Sequence, residues 1–128
     1  MSLNQEKVER ILGAALDKAR ALGIGITVVV VDEGGHLLGM RRMEGVRFGT
    51  LDIAGGKAFT SAAFQRNADI MPPLPFFTGS FQVAGRQVVP LIGGLVLKEG
   101  DHVVGGIGSA GGTGEQDLEC SQAGAAAL

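Results

Sequence analysis

The sequence predicts one α+β domain: a five-stranded antiparallel sheet flanked by helices, in the order α-β-β-α-β-β-β-α. Three observations carry that expectation. An amphipathic segment opens the chain, a second segment of helical spacing returns at 50–66, and a helix-forming stretch closes it. Between them lie β-branched runs punctuated by turn residues. The connections between consecutive runs are short, which makes neighbouring strands antiparallel. A chain of 128 residues fits a single domain, 1–128, and buries roughly two-thirds of the surface that its unfolded form exposes.

The elements follow in order. Over 4–22, Val8, Ile11, Leu12, Ala15, Leu16, Ala19 and Leu22 recur at helical spacing, charged residues fill the opposite side, and Gly23 stops the helix. Residues 25–32 form a buried strand. Glu33-Gly34-Gly35 turns the chain back into a second strand, His36 to Met43, as a hairpin. The helix over 50–66 takes Thr50 as its N-cap and Asp52 in its first turn. Gly55 and Gly56 sit inside it at a cost of about 1 kcal/mol each relative to alanine. Close backbone packing or a bound ligand must offset that cost. Pro72, Pro73 and Pro75 impose an extended loop within 67–80, beside which Phe76, Phe77 and Phe81 act as a lid or pin the loop to the domain. Segments 81–85, 88–98 and 102–108 read as three further strands, the middle one interrupted by Pro90 and Gly93-Gly94. Residues 113–127 close the chain as a helix, with Thr113 and Gln116 spaced as a capping box.

Composition narrows the function. Eleven basic and 13 acidic residues give a net charge of −2, without the basic stripe that nucleic acid requires. The longest apolar run, Ile26 to Val31, is too short to cross a bilayer, and the polar first residues do not resemble a secretory leader, so a cytoplasmic protein without a membrane partner is expected. One cysteine, Cys120, makes no internal disulfide and reads as a small buried side chain. His36 and His102 each start a strand, and neither has a second ligand at metal spacing, so no metal site is expected.

Chemistry concentrates around glycine, 22 residues without a three-residue period. In Gly105 to Thr113 a strand runs into a glycine-rich turn that opens the last helix. Bared N–H groups at a helix start attract anions, although the spacing matches neither a phosphate-binding loop nor a dinucleotide fingerprint. Pocket and tight turn both remain open readings of that run. Lys57, beside Gly55-Gly56, binds a carboxylate or pairs with Glu44 or Asp117. Glu115 and Asp117 also suit the first helical turn for electrostatic reasons alone. The candidate pocket is lined by Arg42, Thr60, Gly111, Gly112, Thr113 and Asp117, with Glu44, Lys57 and Glu115 as candidate catalytic groups. Lys57 and the helix start would hold a small anionic ligand, and Glu44 or Glu115 would move a proton if burial raised its pKa. Isomerase, lyase or hydratase chemistry on a small oxygenated or carboxylated metabolite would suit that set.

Taken together, Val30 to Leu37, Arg42-Met43-Glu44-Gly45, Lys57 to Ser61 within 54–62, Gly93-Gly94, and Gly105 to Gly112 followed by Glu115-Gln116-Asp117 resemble the GlcG/HbpS family, which includes the C-terminal domain of PduO-type proteins. The resemblance covers nearly the whole chain in order. It implies a profilin-like fold with a five-stranded antiparallel sheet, and homo-oligomers, often octamers. Some members bind haem, one type is an extracellular redox-linked partner of a sensor kinase, and others accompany pathways that consume small hydroxylated or carboxylated compounds. Two departures stand out. Glu44 occupies a position where the family usually carries aspartate, and the N-terminal helix lacks the histidine that haem-binding relatives use. The alternative function is thus a haem- or cofactor-binding sensor or storage protein without catalysis, with haem admitted by the resemblance but not required.

Overall fold

The computed structural model describes residues 2–70, 82–83 and 85–128. The proline-rich stretch and the three phenylalanines beside it lie outside these residues. Helix α1 spans Gln5–Leu22: Asn4 caps it by accepting the Lys7 N–H at 2.8 Å, and Gly23, at a φ of 72°, ends it. Strands β1 (Thr27–Asp32) and β2 (Leu37–Arg42) form the expected hairpin. Its turn is built by a side chain. Asp32 Oδ1 accepts the N–H groups of Gly34 and His36, each at 2.9 Å, while Gly35 takes a φ of 78°. Partial burial works against the Asp32 carboxylate, but those two N–H groups and the His36 ring outweigh it and hold its pKa below the ordinary value.

Helix α2 spans Gly49–Phe64 and starts one residue before the expected cap. Phe48 stands at the N-cap with no side-chain bond, and the Thr50 hydroxyl instead bonds Arg47 O and lies 2.7 Å from the Thr27 hydroxyl. A 3-10 turn follows at Ala68–Ile70. Strands β3 (Gln82–Val83) and β4 (Arg86–Gln87) pair only with each other. Strands β5 (Gly94–Glu99) and β6 (His102–Ala110) lead into α3 (Gly114–Ala126), whose N-terminus carries the expected capping box between Thr113 and Gln116.

The expected five-stranded sheet is corrected by this pairing. Among the described residues the main sheet has four antiparallel strands in the order β2-β1-β6-β5, and the elements run α-β-β-α-β-β-α around a separate two-stranded ribbon. The cause is local. Gly85, at a φ of 76°, stands between β3 and β4, which among the described residues pair with each other and with no other strand. Pro90 lacks a ladder donor and Gly93 takes a φ of 113°, so residues 88–92 stay out of the main sheet and β5 begins only at Gly94.

The sheet separates two apolar layers. Val28, Val30, Leu97 and Ile107 pack against Val8, Ile11, Leu12 and Ala15 of α1 and Cys120 of α3. On the other face, Val29, Val31 and Ala110 meet Ala54, Ala58 and Ala62 of α2. That second layer is thin because α2 lies almost on the strand backbone. A Cβ on Gly108 would stand 2.2 Å from Ala54 O, and one on Gly106 would stand 2.3 Å from Ala58 O. Gly108→Ala must push the helix away, so it is expected to lower stability by about 1–3 kcal/mol or to prevent folding. Urea unfolding followed by circular dichroism measures the loss, and a variant as stable as the parent would contradict this packing.

Candidate functional site

Lys57 leaves α2, passes the end of the sheet and reaches α3. Its Nζ donates to Ser109 O at 2.8 Å and to Asp117 Oδ2 at 3.2 Å, and both side chains are almost wholly buried. Asp117 Oδ1 accepts the Gly112 N–H at 2.9 Å, so the glycine turn before α3 is tied into the same centre. Ser121 donates its hydroxyl to Gly93 O at 2.6 Å and lies 2.8 Å from the Ser109 hydroxyl, which closes the network towards β5. Burial pushes the Asp117 carboxyl above the ordinary range, against the opposing pull of the Gly112 N–H and the Lys57 ammonium. The negative guest of Lys57 is therefore the chain's own aspartate.

The remaining candidates are spread around that centre. Thr60 is buried, donating to Gly56 O at 2.7 Å and accepting the Val89 N–H at 2.8 Å, so its hydroxyl fastens the 88–89 segment to α2. Glu44, Gly111 and Gly112 line a polar cleft of about 570 Å³ together with Arg47 and Thr50. Arg42 and Glu44 border a second hollow beside Arg20 and Arg41. Thr113 is engaged in the helix cap, and Glu115 is exposed on the first turn of α3. Cys120 is buried, with its thiol pushed up to about 11, chiefly by burial. Among the described residues no group of three or more His, Cys, Asp or Glu side chains gathers as a metal site would. No helix in the described residues is long and apolar enough to cross a membrane.

A third cleft, of about 550 Å³, has a different character. It opens between β1, the β1–β2 turn and the first half of α2, and its walls are Val29, Val31, Leu37, Leu51 and Phe59, with Gly55 along the helix. Arg86, on β4, closes one side. Its guanidinium lies 4.1 Å from the centre of the Phe59 ring and donates to the carbonyls of Gly35 and Gly34. Asp52 is the acidic residue of the wall. The volume falls within the range of small-molecule sites. None of these side chains was singled out from sequence except the glycine pair. A Cβ on Gly55 would meet nothing within 4 Å, so this glycine does not serve backbone packing and its bare Cα leaves the cleft open.

The family model described as "Haem degrading protein HbpS-like" matches residues 3–126. The chain belongs to the HbpS-like family. It is 34% identical, over 106 residues, to an uncharacterised 15.0 kDa protein from the dhaT-dhaS intergenic region of Citrobacter freundii, which covers 78% of this chain and 75% of that protein. Among solved structures it is similar to the PduOC haem complex, with 26% identity and a TM-score of 0.88, covering 100% of this chain and 96% of the other. It is equally similar to a double mutant of Streptomyces reticuli HbpS, with 28% identity, a TM-score of 0.88, and coverage of 100% and 88%.

Among the described residues that line the apolar cleft there is no His, Cys, Met or Tyr.

Two outcomes follow for the buried pair. Lys57→Met strands an unpaired aspartate and is expected to cost about 3–5 kcal/mol in urea unfolding, most of which Lys57→Met/Asp117→Leu recovers. Asp117 holds its proton more tightly folded than unfolded. Its contribution to stability is therefore fully present below the unfolded value of 3.8 and is lost as the pH rises through the raised folded value. Unfolding measured at a series of pH values should show the parent losing stability relative to Asp117→Asn across that window. An unchanging difference would refute the assignment.

Proposed function

We propose that this chain is a haem-class tetrapyrrole-binding protein that holds its ligand in the apolar cleft and catalyses no reaction of its own. The observation that carries the proposal is Gly55. A helix interior that gives up about 1 kcal/mol to a glycine, with open space where the side chain would stand, keeps that space for something else. The family match and the similarity to a haem complex support the identity of the guest. Leu37, 62% exposed at the cleft wall, is the apolar surface that such a ligand would cover. Self-association belongs to the same proposal, since Phe48 and Leu91 are also exposed and a second copy would shield them.

The geometry gives less support to acid–base catalysis on a small metabolite. Lys57 is committed to Asp117 and Ser109 O, and Glu44 and Glu115 stand exposed to solvent, apart from Lys57.

Haemin added to the protein should shift and sharpen its Soret band with a dissociation constant in the micromolar range or tighter, about −8 kcal/mol. Gly55→Leu fills the cleft from a position with room for the new side chain. It should weaken haemin at least about tenfold, near 1.4 kcal/mol, while the melting temperature holds or rises. Unaltered affinity in a folded Gly55→Leu variant would move the ligand elsewhere, and no spectral change in the parent would end the haem reading.

A further inference from the structure

We propose that the apolar cleft recognises its guest through the faces and carboxylates of the ring system and not through a bound metal. Its ligand class is then the planar dicarboxylic tetrapyrroles, metal-free or carrying any metal. This rests on the proposed function and specifies its chemistry.

Metal donors lie in the wrong places. His36 sits between two lining residues but is itself outside the described lining, largely exposed, with its Nδ1 3.2 Å from Asp32 Oδ1. His102 starts β6 and pairs in register with Glu99 of β5, away from the β1–β2 side of the sheet. Cys120 belongs to the apolar layer under α1 and α3. Met40 shares the cleft's face but packs against the Val29 and Val31 core and is absent from the described lining. Within the described lining the remaining donor side chain is Asp52, a hard oxygen donor unlike the usual axial ligands of haem.

Carboxylate recognition is better prepared. A guanidinium has five N–H donors, and among the described residues Arg86 uses two, on the carbonyls of Gly34 and Gly35. Those bonds and the Phe59 ring hold its plane at the cleft wall, with donors left over for a carboxylate in paired geometry.

The test titrates the whole chain, by absorbance and fluorescence, with haemin, zinc protoporphyrin, metal-free protoporphyrin IX and the dimethyl ester of the last. The three diacids are expected to bind within about threefold of one another, and the ester at least about tenfold more weakly. Arg86→Gln should abolish the difference between acid and ester, whereas a purely structural role for Arg86 would weaken both alike. His36→Ala and Met40→Leu should leave haemin affinity unchanged. Haemin binding more than about tenfold tighter than the metal-free ring, or loss of haemin in either of those two variants, overturns the inference while leaving haem binding intact. Acid and ester binding equally well to the parent overturns it at Arg86. Failure of all four ligands overturns both this inference and the proposed function.

Discussion

How near α2 can lie to β6 decides most of the molecule. Gly106 and Gly108 have no side chains to hold the helix off, so carbonyl groups of α2 rest where Cβ atoms would otherwise stand. An apolar layer made of alanines against valines then suffices on that face, while the larger Leu and Ile side chains serve α1 and α3 on the other. A chain with no tryptophan and no tyrosine reaches interior packing by bringing backbones together rather than by filling a gap with rings.

The close seat of α2 also brings Lys57 within reach of α3. Its ammonium arrives at the sheet's end, where Ser109 O, Asp117 and the Gly112 N–H converge. Two layers that share only the sheet between them are thereby joined by one buried charged contact, whose value lies in fixing the last turn of the chain more than in net stability. Two residues before Lys57, on a part of the helix that does not touch β6, the space beside Gly55 stays open between Leu51, Phe59 and the β1–β2 turn.

Much of this was legible in the residues. Apolar spacing placed α1, the β-branched run placed β1, and the capping pair placed the start of α3, because each is specified by neighbours in sequence. The expectation of a fifth strand came from apolar content at 81–98, where two glycines and one proline outweigh propensity. Thr50 was a reasonable cap by type, yet tertiary contact with Thr27 claimed its hydroxyl. The glycine pair at 55–56 was visible as a cost without a reason. Arg86 and Phe59 were invisible as partners, since nothing local joins residues 27 positions apart, and only the folded ribbon lays one over the other.

Among the described residues the main sheet is bordered by β2 and β5. Along β2 the last residues are Arg41 and Arg42, both exposed, with Arg41 reaching across to Glu9 of α1. A second copy brought alongside in parallel register would set these cations against another pair of the same sign, so strand addition in that register is discouraged by charge at the margin.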